Sequence, residues 1–229
     1  MKKLKIAIDG PAGSGKSTVA KRVAEALNYI YVDTGAMYRA VTLAALRKGV
    51  SMDDGEGLTE LSAGIQLEFR PAEEGKGYRL YMDGEDVHEE IRSLEVTNNV
   101  SFVAAVAGVR RNLVRLQQSL TSGGGVVMEG RDIGTVVMPD AEVKVFLTAS
   151  VAARTRRRLL ALQAKGIMVN EEELQASIIR RDAIDSGREV DPLRPAPDSF
   201  ELDTTELNID QVVERILALA LAKGARLDQ

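Results

Sequence analysis

Cysteine and tryptophan are absent from this chain of 229 residues, and histidine occurs once, at His88. Without cysteine there is neither a disulfide framework nor a thiolate metal site. With no second histidine beside it, His88 is expected to serve a surface or structural role. No apolar run approaches the length of a membrane span, and Met1-Lys2-Lys3 leads into an apolar stretch rather than a signal peptide. The expectation is a cytoplasmic protein of a reducing compartment. A strong excess of one charge is lacking too: 30 Lys and Arg stand against 34 Asp and Glu, for a net charge of −4. That balance argues against a nucleic-acid polymer as the main partner. Internal repeats and low-complexity tracts are missing as well. What remains, at 45% hydrophobic and 28% charged residues, is an ordinary globule long enough for one large α/β domain with inserted subdomains.

Near the start lies Gly10-Pro11-Ala12-Gly13-Ser14-Gly15-Lys16-Ser17-Thr18, which satisfies G-x-x-x-x-G-K-[ST] at Gly10, Gly15, Lys16 and Ser17. Before it, Leu4-Lys5-Ile6-Ala7-Ile8 reads as a buried parallel strand; after it, Val19, Ala20, Val23, Ala24 and Leu27 recur at helical spacing. Strand, glycine loop and helix together surround phosphate oxygens with backbone N–H groups and a helix N-terminus. Lys16 is suited to neutralise the outer phosphates and the Ser17 hydroxyl to ligate Mg²⁺. The motif in this context reads as a nucleoside triphosphate site.

Downstream, Tyr29-Ile30-Tyr31-Val32 is expected to be a second strand, followed by a turn at Asp33-Thr34-Gly35. A helix is expected from Ala36 to about Lys48, stopped by Gly49. Asp53-Asp54-Gly55-Glu56-Gly57 lacks the later ligand positions of a calcium loop and reads as a solvated turn. From Gly64 the period changes to two: Ile65, Leu67 and Phe69, then Tyr78, Leu80 and Met82 after Glu73-Glu74-Gly75-Lys76-Gly77, predict a β-hairpin. Ser93 to Leu120 reads as helical with an interruption near Gly108; taken alone, Arg110, Arg111 and Arg115 read as a solvated basic face. Strands are expected at Val126-Val127-Met128, at Val143-Lys144-Val145-Phe146-Leu147, and from Phe200 to Asp203. Helices are expected after Leu147 to Lys165-Gly166, from Asn170 to Asp185, and from Ile209 to Ala222.

Five apolar strands separated by helical crossovers predict an α/β fold: a five-stranded parallel sheet, of the phosphate-loop type, with helices on both faces. Ligands of such sheets sit beyond the carboxyl ends of the strands. Those ends carry Asp9 with the glycine loop, Asp33-Thr34, Arg131-Asp132 and the segment after Leu147, so arginines and carboxylates converge on the rim of the phosphate loop.

With DGPAGSGKST, DTGAMYR at 33 to 39, MDGEDV at 82 to 87, IR at 91 to 92, EGRDIGTVV at 129 to 137 and RRDAIDSGR at 180 to 188, the chain resembles the bacterial cytidylate kinases, within the nucleoside monophosphate kinases. The resemblance covers essentially the full length. It implies transfer of the γ-phosphoryl group of ATP to CMP or dCMP, with Mg²⁺ as cofactor. It implies small-molecule partners. With the charge balance and the lack of a long apolar run noted above, neither nucleic acid nor membrane is expected. Since nothing in the sequence demands an oligomer, a monomer is expected. Gly10 to Thr18 would hold ATP. Arg39, Arg131 and Arg188 match the grip on the acceptor monophosphate; Ser101, Arg110 and Asp132 match readers of the cytosine edge. Arg181 and Asp185 match the pair on the pentose hydroxyls, with Thr34 nearby. Arg154, Arg156, Arg157 and Arg158 fall on the lid, where some arginines face the transferring group. Catalysis would rest on Lys16, Arg131 and Arg188. The implied division is one domain: a core of about 1–57, 101–152 and 189–229, a β-containing nucleotide-binding insert of about 58–100, and an arginine-rich lid of about 153–188.

Two readings of Asp132 stand open at this stage, a cytosine-amine acceptor or an acid holding Mg²⁺ through water. Rival functions are a kinase for UMP, AMP or another small acceptor, and a regulatory NTPase. The guanine-reading N/T-K-x-D motif of a GTPase is not found in the sequence.

Overall fold

The computed structural model describes residues 3–71 and 78–228; the hairpin connection Glu73 to Gly77 lies outside them. Strands β1 (Lys5–Asp9), β2 (Ile30–Asp33), β6 (Val126–Gly130), β7 (Val143–Thr148) and β8 (Phe200–Asp203) form one sheet in the order β2-β6-β1-β7-β8. Every pairing in it is parallel, so the five carboxyl ends share one edge. An antiparallel hairpin, β3 (Leu67–Pro71) and β4 (Tyr78–Met82), extends to the short β5 (Glu85–Asp86). The alternating apolar residues of that segment face one side, as their period of two requires.

The sheet is covered on both faces. Ile6 and Ile8 of β1 join α1 (Lys16–Leu27) and α8 (Ile209–Ala222) in one buried cluster. Ala7, on the alternate face, joins Met128 and the π-helical turn Ile133–Val137 in another. Helix α2 (Thr34–Lys48) is apolar all round because both of its faces are buried. Met37 and Val41 meet α3 (Gly55–Gly64), α4 (Leu94–Ala105) and α5 (Ala107–Ser119), whereas Ala36 and Leu43 meet Leu80 and Met82 of the hairpin. The remaining helices, α6 (Val151–Gln163) and α7 (Glu171–Gly187), form an antiparallel arm beside α4.

Two local expectations need correction. Helix α2 begins at Thr34, not Ala36, because the Asp33 carboxylate accepts from the Ala36 N–H and caps the helix two residues earlier. The acidic stretch 53–57 is not all turn: Asp54 caps Gly57 N–H and starts α3, with Glu56 in its first turn. The interruption expected near Gly108 is present and falls at Val106, in extended conformation. Gly108 serves packing instead, since a Cβ there would lie 2.1 Å from the Thr59 hydroxyl of α3. Helices α3 and α4 pack on the same hydrophobic cluster as α2.

Candidate active site

A cleft of about 790 Å³ opens beyond the carboxyl edge of the sheet. At one end lies the glycine loop. Gly10 adopts φ +147, and a Cβ on it would fall 2.1 Å from the Leu147 carbonyl, so only glycine fits between β1 and β7. Asp9 fixes the neighbouring strand end: its carboxylate accepts from the N–H groups of Ile133 and Gly134, both at 2.8 Å. Burial pushes this carboxyl up to about 6, against the pull of those two hydrogen bonds. Ala12, Gly13, Gly15, Lys16, Ser17 and Thr18 line the cleft, whereas Gly10, Pro11 and Ser14 form the back of the loop. Lys16 opens α1 and folds over the loop, donating to the Pro11 carbonyl at 2.7 Å and to Ser14 Oγ at 3.4 Å. Burial holds its ammonium well below the ordinary lysine range, with Arg131 adding repulsion.

Beside Lys16 stands Glu129, buried at the end of β6. Burial and the Asp33 carboxylate raise its carboxyl, while hydrogen bonds from Tyr31 and Ser17 pull the other way. The Tyr31 hydroxyl donates to Glu129 Oε1 at 2.6 Å. Among the described residues there is no cluster of three or more His, Asp or Glu able to hold a metal alone. The hard oxygen donors at this end are the Ser17 hydroxyl and the Glu129 carboxylate. They suit a Mg²⁺ ion that brings most of its oxygen ligands with it, as Mg²⁺ bound to phosphates does.

The far end gathers the remaining residues singled out from the sequence. Thr34, Arg39, Ser101, Arg110, Arg131, Asp132, Arg181, Asp185 and Arg188 all line the cleft. Thr34 Oγ1 donates to the Glu129 carbonyl at 2.7 Å. Arg131 Nε donates to Asp185 Oδ2 at 2.8 Å, and Arg181 Nε lies 4.0 Å from the same oxygen. Burial alone would raise the Asp185 carboxyl, but Arg131 and Arg181 outweigh it and hold it low. Arg110, almost wholly buried, is not part of a solvated basic face: its guanidinium pairs with Asp132 and lies 5.6 Å from the Tyr38 ring. Arg188 Nη2 approaches the other oxygen of Asp132 at 3.7 Å.

Several buried groups of this end have no hydrogen-bond partner: Ser101 Oγ, Arg39 Nε, Arg181 Nε and Arg188 Nη2. Burial depresses Arg39, Arg188 and Arg181, the last to about 9 with Arg131 and Arg39 repelling it. Unpartnered donors and crowded guanidinium groups facing one cavity describe a site for an anion with oxygen acceptors.

The four arginines of α6 separate. Arg157 and Arg158 line the cleft; Arg157 also donates to the hydroxyl and carbonyl of Thr204. Arg154 points away from the cavity, donating to the carbonyls of Ala12 and Ala149 at 3.0 Å and pairing with Asp182. Arg156 is exposed and does not reach the cleft. Sequence reasoning gave no role to Asp33, Tyr38, Arg92 or Glu129, which also line it. All four lie within motifs quoted above. Their signal was position at a strand end or next to an arginine, which spacing alone does not distinguish from capping.

The model of the family described as cytidylate kinase matches residues 6–222. A cytidylate kinase from Exiguobacterium sibiricum is 54% identical over 220 residues, spanning 96% of this chain and 98% of its own length. Another, from Bacillus anthracis, is 51% identical over 225 residues, spanning 98% and 99%. Among solved structures, an uncharacterized protein from Eubacterium ventriosum is similar with a TM-score of 0.51 at 13% identity, over 96% of this chain and 99% of that one, a likeness of fold alone. Fold, cleft and near-complete sequence match agree: the chain belongs to the cytidylate kinase family.

Proposed function

We propose that ATP lies along Gly10–Thr18 with its γ-phosphate toward Lys16, and that CMP or dCMP lies across the far end. The enzyme is a kinase that phosphorylates CMP and dCMP with ATP. The observation that carries this division of the cleft is the set of unpartnered donors on Arg39, Arg181, Arg188 and Ser101 around the Arg110–Asp132 pair.

The attacking oxygen belongs to an ionised phosphate, so no strong general base is required; positioning and charge stabilisation suffice. Arg39, Arg131 and Arg188 grip the acceptor phosphate, whose oxygens match planar guanidinium forks. Asp185, aligned by Arg131 and Arg181, accepts from the pentose hydroxyls beside Thr34. Ser101, Arg110 and Asp132 read the base: Asp132 accepts from the cytosine amine while Arg110 donates to the ring acceptors. Lys16, Arg131 and Arg188 then face the charge that spreads over the transferring group, with Arg157 and Arg158 closing over it.

Ser17 and Glu129 would hold Mg²⁺ delivered with ATP, and the ion would supply neutralisation of the phosphate charge. The pairing of Asp132 with Arg110 favours base reading over metal binding for that carboxylate. In this reading about 58–100 and about 153–188 are the moving arms, which close over the core and exclude water. The protein acts as a cytoplasmic monomer on small molecules, and among the described residues no helix is long and apolar enough to cross a membrane.

Exchange of Asp132 for asparagine tests the base assignment. Uracil presents a carbonyl where cytosine presents its amine, and a carboxylate facing it leaves two acceptors unpaired. Such a mismatch costs about 1–3 kcal/mol, roughly fivefold to 150-fold in selectivity. Asp132→Asn should lower kcat/KM for CMP and narrow the gap to UMP at saturating Mg²⁺. An unchanged CMP-to-UMP ratio with a raised Mg²⁺ requirement would assign Asp132 to the metal instead.

A further inference from the structure

Arg110 and Arg188 reach Asp132 from two sides, and a residue outside the cleft holds both of them. Asp191 lies on the loop after α7. Its carboxylate Oδ2 accepts from Arg110 Nε at 3.1 Å, and its backbone carbonyl accepts from Arg188 Nε at 2.7 Å. The loop is fastened to α7 where Leu193 N–H donates to the Asp185 carbonyl at 2.8 Å. Asp191 adopts φ +49, a left-handed conformation that non-glycine residues take up at a cost and that persists where the surroundings impose it.

The three nitrogens of the Arg110 guanidinium thus have three different partners. Nε goes to Asp191, Nη1 to the Ala104 carbonyl at 3.3 Å, and Nη2 to Asp132 Oδ2. Only one of them touches Asp132. The favoured arrangement of an arginine with a lone carboxylate is bidentate, engaging both oxygens. Asp191 stands in the way of that collapse. With the Tyr38 ring at 5.6 Å from the guanidinium carbon, Arg110 is held in position without occupying Asp132 Oδ1.

We propose that Asp191 is the positioning residue of the base-reading end. It confines Arg110 to a single-nitrogen contact with Asp132, leaves Asp132 Oδ1 able to accept from a nucleobase amine, and sets the plane of Arg188 through its own backbone. The inference rests on the base-reading role given to Asp132 above. Without the Asp191 carboxylate, Arg110 turns onto both oxygens of Asp132, and a cytosine must break that pair to bind.

Two variants isolate the carboxylate. Asp191→Gly keeps the backbone carbonyl and fits φ +49; Asp191→Asn keeps an acceptor oxygen and tolerates the left-handed conformation. Steady-state kinetics with ATP and either CMP or UMP, alongside thermal unfolding, give the readout. In Asp191→Gly the KM for CMP should rise about tenfold or more, the worth of a charge-assisted hydrogen bond. The KM for ATP should stay within about twofold, the CMP-to-UMP preference should narrow, and Asp191→Asn should recover most of the loss. An unchanged KM for CMP in Asp191→Gly, or equal rises for CMP and ATP, overturns the inference while leaving the site reading intact. A wild-type enzyme that does not use CMP overturns both.

Discussion

Arg154 and Asp182 form a 2.7 Å ion pair between α6 and α7, and the same guanidinium donates to the Ala12 carbonyl at 3.0 Å. One buried side chain therefore ties the phosphate loop to the helix that carries Arg181 and Asp185. The crowding of arginines on α6 conceals two different tasks, a strap at Arg154 and cleft contacts at Arg157 and Arg158.

The strap predicts a contrast in stability. Arg154→Met removes three hydrogen-bonded contacts and leaves Asp182 without its partner, which should cost about 3 kcal/mol, near the lower end for breaking a buried pair. Arg156→Ala, on the exposed side of the same helix, should stay within about 0.5 kcal/mol of wild type. Urea denaturation of both variants checks this; equal stabilities would contradict the strap.

Lys16 separates chemistry from folding. Its ammonium donates to two loop atoms, the Pro11 carbonyl and Ser14 Oγ, and it packs in none of the hydrophobic clusters of the described residues. Lys16→Ala should lower kcat on the order of 10³-fold, as loss of a charge-stabilising donor does, with the thermal midpoint within a few degrees of wild type. Retained turnover in a folded Lys16→Ala enzyme would remove the loop from the reaction.

Asp9 gives a pH dependence with a definite sign. Burial raises its folded carboxyl from 3.8 to about 6, so between those values the folded state holds more protons than the unfolded one. Stability from this group is therefore highest below pH 4 and falls as pH rises through about 6. The linked change is on the order of 3 kcal/mol. Denaturation of wild type and Asp9→Asn from pH 4 to 7.5 isolates it: the wild-type advantage should shrink as pH rises. A constant or growing advantage would contradict the assignment.

Much of this molecule was legible because four of its five sheet strands are mainly apolar runs, which differ in period from the alternating Ile65–Phe69 and Tyr78–Met82 of the hairpin. Phe200–Asp203 alternates too and was legible only from its place after the last crossover. The helix ends were less legible. Asp33 and Asp54 read as turn residues, yet each caps a helix, and a carboxylate beside a glycine carries no mark of which task it performs. Gly108 read as a helix breaker, whereas its missing side chain admits Thr59; that depends on where α3 packs. The polar site was legible as a list of residues at strand ends and on α7. Its pairings were not, because Arg110–Asp132 and Arg131–Asp185 join residues 22 and 54 positions apart. Nor did spacing reveal that Arg154 turns inward while Arg158 faces the cleft, since both lie on one helix four residues apart.

The transfer proposed for this cleft moves a phosphoryl group from ATP to a cytosine nucleotide. ADP release measured with ATP, Mg²⁺ and a panel of CMP, dCMP, UMP and AMP, with an acceptor-free control, tests it directly. Release should depend on CMP or dCMP, with weak use of UMP and AMP and little release without an acceptor. Release that proceeds equally without acceptor, or that favours UMP or AMP over CMP, would contradict it.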